Sequence, residues 1–243
     1  MRIAFILESG EIDSTMNPKE ASISSRQMYQ IENNGSSLLG MHKSYMMENA
    51  GHGLADFIIS KMGSTLSGKS IVSLCGTGNN GGDAIVASRH LAGYYGAKVT
   101  VIILGNPDEI STEECSANWN LIKKMRSIRI FSGTNVLESA AEEISNGDII
   151  IDGIFGTGIK GNIREPHSSA IDTINNSKGY IVSVDIPSGL DPDTGMTHDK
   201  CVKADATVTF HRIKNGLIGR QEYTGQLHLE KIGIPIEAED NVL

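Results

Sequence analysis

The chain has 243 residues, and its 21 Lys plus Arg against 29 Asp plus Glu give a formal charge of −8. That length suits one large α/β domain or two small ones, while the acidic balance and 5% aromatic content argue against general nucleic-acid binding. Cys75, Cys115 and Cys201 are far apart and form no C-x-x-C pair, so they suggest neither a disulfide framework nor a zinc site and fit a reducing cytoplasm.

Residues 1–20 read as an N-terminal extension of uncertain order. Its apolar run Arg2–Leu7 is too short for a signal segment, and acids follow at once. No run approaches the length of a membrane span. Helical spacing then covers 24–34 and 44–62. "GSTLSGKS" (63–70) matches the phosphate-loop pattern letter for letter, but a helix precedes it and a strand follows, the reverse of what that loop needs. The apolar run 70–75 predicts a buried strand. "GTGNNGGD" (76–83) follows as a strand-to-helix turn, with a helix over 83–95 that Asp83 is placed to cap. Further strands are predicted at 98–104, 128–131, 148–155, 180–186 and 204–210, with 226–232 as an edge strand. Helices are predicted at 113–127, 136–146 and 166–176. This alternation predicts a mostly parallel, doubly wound sheet with right-handed crossovers.

Three polar stretches sit at strand ends. In "GTGNNGGD" the bare backbone of Gly81 and Gly82 lets a ligand approach, and free N–H groups at a helix start attract an anion. The pattern also fits G-x-G-x-x-G, yet a nicotinamide dehydrogenase needs an acid about 20 residues on, and Asp108 comes late. Asp83 would repel a pyrophosphate, so it caps the helix, binds sugar hydroxyls, or does both. "DGIFGTGIKGNIREP" (152–166) places Asp152 at another strand end, followed by the glycines 156, 158 and 161 with Lys160 among them. "VDIPSGLDPDTG" (184–195) adds Asp185 and Ser188. Asn79, Asn80, Asp83, Asp152, Asp185 and Ser188 offer oxygen only, a set suited to a hard cation.

In order, these stretches resemble the site motifs of the NAD(P)H-hydrate epimerase family, the YjeF N-terminal domain. "MMENAG" (46–51) is similar to its N-terminal helix motif and "KADATVTFHRIKNGL" (203–217) to its later strand segment. The resemblance runs from about "MYQIENNG" to "KIGIPI", making 21–243 one domain with a Rossmann-like three-layer αβα fold and a mostly parallel sheet. It implies an isomerase that interconverts the epimers of hydrated NADH and NADPH at nicotinamide C6, working with a separate dehydratase in cofactor repair. It implies substrate binding by Asn79, Asn80, Gly81, Gly82 and Asp83, by Gly156, Thr157, Gly158, Ile159, Lys160, Gly161 and Asn162, and by Asp185. A potassium ion is expected on Asn80, Asp152 and Ser188, and relatives suggest a homodimer. Thr77 stands where the family often has proline, and Ala84 where glycine is common. Expulsion and return of the C6 hydroxyl needs a group that gives and takes a proton; Asp185 is the candidate, with Lys160 orienting water or phosphate. The competing readings are a non-catalytic protein- or RNA-associated module of the same fold and an NAD-dependent dehydrogenase.

Overall fold

The computed structural model describes residues 22–63, 66–94, 96–158 and 161–243. The expected N-terminal extension therefore lies almost wholly outside the described residues, as do Ile159 and Lys160.

Seven strands form one sheet, paired in parallel throughout. They are β1 (Ser70–Cys75), β2 (Lys98–Ile103), β3 (Ile128–Phe131), β4 (Ile149–Gly153), β5 (Tyr180–Val184), β6 (Ala206–Phe210) and β7 (Gln226–Glu230). Their spatial order is β3-β2-β1-β4-β5-β6-β7. The order reverses between β1 and β4, and a sheet wound this way opens a crevice beyond the carboxyl ends of its strands at that point. "GTGNNGGD" leaves β1 there and "DGIFGTG" leaves β4.

The helices are α1 (Ser25–Ser37), α2 (Lys43–Met62), α3 (Asn79–Tyr94), α4 (Glu113–Ile122), α5 (Val136–Ser139), α6 (Ala141–Ser145), α7 (His167–Asn175) and α8 (Gln221–Thr224). Two apolar layers cover the sheet, as a doubly wound fold requires. On one face Ile71 and Cys75 of β1 join a core with Leu54 and Ile58 of α2 and Ile85 of α3. On the other, Val72 and Leu74 join Ile144 of α6 with Ile171 and Ile174 of α7. Alternate residues of one strand thus enter opposite cores. No helix among the described residues is long and apolar enough to cross a membrane.

The N-terminal segment is stitched to the far end of the chain. Ser24 and Gln27 form a reciprocal capping box that starts α1. Just ahead of it, the Ile23 N–H donates to the Ile213 carbonyl at 2.9 Å and the Ile23 carbonyl accepts from Asn215 N–H at 2.9 Å. The segment after β6 is thereby held beneath α1.

Three helices differ most from those the sequence predicts. Helix α3 begins at Asn79, so Asp83 lies in its second turn and does not cap it. The helix expected over 113–127 stops at Ile122, where Lys124 and Met125 N–H groups donate three residues back and tighten the chain into turns. The helix expected over 136–146 is two short pieces, broken at Ala140.

Candidate active site

A cleft of about 1010 Å³ opens at the sheet's switch point. Its floor is the β1–α3 turn and the loop after β4, its far wall is Asp185 and the segment after β6, and α1 and α2 close the remaining side.

The first turn of α3 is built by close packing. A Cβ on Gly81 would stand 2.0 Å from the Gly76 carbonyl oxygen, and one on Gly82 would meet the Met47 side chain at 2.5 Å and Cys115 at 3.2 Å. Neither glycine lines the cleft. Each is bare at least because α3 lies against its own turn and against α2 and α4, a reason that stands apart from any ligand. A valine at Gly82 therefore perturbs helix packing before it perturbs any ligand. Gly78 is different: it lines the cleft with open space beyond it, beside Thr77, Asn79 and Asn80. Across the floor Gly156, Thr157, Gly158, Gly161 and Asn162 also face the cavity.

Asp152 lies beneath this floor, fully buried at the end of β4. Its Oδ1 accepts from Ser188 Oγ at 2.5 Å, and its Oδ2 accepts from Ser183 Oγ at 2.8 Å and Ser188 N–H at 2.9 Å. Burial nonetheless raises its carboxyl above the usual range, the hydrogen bonds from Ser188 and Ser183 opposing. Asn80 donates through Nδ2 to the Phe155 carbonyl at 3.0 Å, and Ser188 Oγ accepts from Phe155 N–H at 2.9 Å. Asn80, Asp152 and Ser188 are thus one connected oxygen-rich cluster. No group of three His, Cys, Asp or Glu side chains able to hold a metal occurs among the described residues.

Asp185 follows β5 with a left-handed φ of 60°, a conformation that aspartate and asparagine tolerate better than most residues. This backbone turns the side chain into the cleft. Its Oδ1 accepts from Thr209 Oγ1 at 3.0 Å, from Phe210 N–H at 3.1 Å and from Lys214 Nζ at 2.5 Å. Among the described residues no donor reaches Oδ2. Lys214 is itself 1% exposed and also donates to the Phe210 carbonyl at 3.0 Å.

Sequence reasoning quoted the segment containing Lys214 without giving the lysine a role. Its one available signal is a cation between the apolar Ile213 and the turn-forming Asn215–Gly216. Glu32 of α1 was missed too. It lies beside the buried face formed by Met28, Ile31 and Gly35. Burial raises the Glu32 carboxyl and Asp185 pushes the same way, against Lys214 and Lys43. Burial also raises the Asp83 carboxyl well above the usual range, with Asp185, Glu32 and Glu114 adding to the rise and Lys214 opposing it. Glu32, Asp83 and Asp185 therefore share the influence of Lys214 around one cavity.

A family model described as the YjeF-related protein N-terminus matches residues 43–216. The chain is 49% identical over 217 residues to an NAD(P)H-hydrate epimerase of Nitrosopumilus maritimus, covering 89% of this chain and 97% of that protein. It is 43% identical over 203 residues to a bifunctional NAD(P)H-hydrate repair enzyme of Methanothermobacter thermautotrophicus, covering 83% of this chain and 38% of that one. Among solved structures it is similar to yeast ynu0, with a TM-score of 0.70 and 26% identity, over 84% of this chain and 86% of that one.

Proposed function

Because the chain belongs to the family of YjeF-related N-terminal domains, we infer that its cleft is the active site of an NAD(P)H-hydrate epimerase. The protein interconverts the two C6 epimers of hydrated NADH and NADPH, so that both forms reach a dehydratase. The observation that carries the mechanism is the Asp185–Lys214 pair at the cleft wall. Ring nitrogen electrons expel the C6 hydroxyl once it is protonated, and water returns to either face of the resulting iminium. Asp185 lines the cleft with Oδ1 fixed by three donors and, among the described residues, no donor on Oδ2, so it is positioned to exchange a proton with the oxygen that leaves and returns. General acid–base help of this kind is worth about 10²–10⁴-fold. The glycine-rich floor and the first turn of α3 hold the rest of the cofactor. Adding the protein to one purified epimer should produce the other far faster than the spontaneous background, read by chromatography; an unchanged time course would remove the reading.

Potassium is part of the same proposal. Asn80, Asp152 and Ser188 offer only oxygen, with a single carboxylate, which suits a weakly charged hard cation better than a divalent one. Such an ion would offset the charge that burial disfavours on Asp152 and brace the loop at Phe155. Asp152 also accepts hydrogen bonds from Ser183 and Ser188, so replacing it with alanine would strand several donors; Asp152→Asn is the cleaner variant. It is expected to lower unfolding free energy by about 1–3 kcal/mol through mispaired donors and to abolish any gain in melting temperature on exchanging a bulky organic cation for potassium. If the wild type melts identically in both salts, the ion has no place in the site.

Coupling to a separate dehydratase, a cytoplasmic location and a homodimer complete the proposal; sedimentation equilibrium checks the last.

A further inference from the structure

The cleft contains more acid than one proton-exchanging residue accounts for. Asp83 projects from the second turn of α3 into the cavity, half-buried. Among the described residues its carboxyl has no hydrogen-bond or ion-pair partner. The groups influencing it are Glu32 from α1, Glu114 and Cys115 from α4, Asp185 beyond β5 and Lys214 beyond β6. Only the last is a cation, and Lys214 is already bonded to Asp185. Asp185 therefore has the donors that suit a carboxylate, whereas Asp83 has neighbours that suit a neutral acid. Two carboxyls whose surroundings differ in this way divide acid and base roles between them.

We propose that Asp83 is a second catalytic residue, delivering the proton to the departing C6 hydroxyl while Asp185 takes the proton from the returning water. This rests on the epimerase reading. The steps balance. Asp83 gives its proton as the C6–O bond breaks, leaving water, a ring iminium and an Asp83 carboxylate. Water then adds to the iminium, its oxygen bonding C6 as its proton passes to Asp185. Transfer of that proton from Asp185 to Asp83 through cleft water restores the starting state, with no external oxidant or reductant.

The order of charge states fixes the pH dependence. Activity needs Asp83 protonated, so the rate falls on the alkaline side as Asp83 loses its proton. Asp83→Asn keeps size and polarity but cannot give the proton. It should slow epimerisation roughly 10²–10⁴-fold and remove the alkaline limb of the pH–rate profile. A raised carboxyl binds more protons folded than unfolded, so wild-type stability falls as pH climbs from the ordinary aspartate range through the raised value; Asp83→Asn should flatten that slope. The deciding measurement is a difference infrared spectrum at neutral pH, wild type minus Asp83→Asn, without substrate. A protonated-carboxyl band carried only by the wild type supports the proposal. Absence of that band, or a slow variant that keeps its alkaline limb, overturns it and leaves Asp83 a binding group. Because the band is read without turnover, its failure is distinct from a wild type that does not epimerise, which would end the epimerase reading itself.

Discussion

Asp185→Asn is expected to bind hydrated cofactor and to epimerise it roughly 10²–10⁴-fold more slowly than the wild type. The variant keeps the local shape and backbone, but it leaves the buried Lys214 ammonium without its counter-ion, so stability should fall along with activity. Asparagine tolerates the left-handed φ of 60° at this position. Its amide oxygen can still accept from Thr209 and Phe210, which now reach Oδ1 at 3.0 and 3.1 Å. The change removes proton exchange and the formal charge opposite Lys214. Binding measured by titration calorimetry should persist while the epimerisation rate, corrected for spontaneous interconversion, collapses. Near-wild-type turnover would reduce Asp185 to a positioning residue and move the chemistry elsewhere.

Lys214→Met should damage both fold and function. The lysine is 1% exposed, and its ammonium donates to Asp185, to Thr209 at 3.3 Å and to the Phe210 carbonyl. Methionine fills similar volume but leaves a charge without its counter-ion. Breaking a buried pair from one side costs about 3–5 kcal/mol. Asp185 keeps some access to the cleft, so the lower end is expected, read as a shift in denaturant midpoint. Activity should fall by at least the amount lost in Asp185→Asn, since the base is no longer held in place. A variant within about 1 kcal/mol of wild type would show that cleft water already carries the charge.

The strands and the site order were legible because they are local. Unbroken β-branched runs such as 149–151 mark strands buried on both faces, and polar clusters after β1, β4 and β5 mark the ligand edge. The start of α3 was not legible. Asn79, Asn80, Gly81 and Gly82 are poor helix formers, so local preference reads them as loop; the packing of Gly81 on Gly76 and of Gly82 on Met47 overrides it. Nor was the Asp185–Lys214 pair, because its members are 29 positions apart and only the placement of β6 beside β5 joins them. Glu32 was hidden for the same reason: its helix reaches the cleft by way of contacts with the end of the chain.

That contact has a consequence for synthesis. Ser22 and Asn215, hydrogen-bonded through their side chains, are 193 positions apart, and the neighbouring Ile23 backbone is what pins the segment bearing Lys214. Contacts this distant in sequence are the slow ones to form. During translation the α1 segment leaves the ribosome well before the segment after β6 that it must close upon. The nascent chain can stack β1 through β5 while its catalytic wall is still unmade. Until that wall arrives, the apolar undersides of α1 and α2 lack part of their cover, so that interval is when this protein most needs shelter from aggregation.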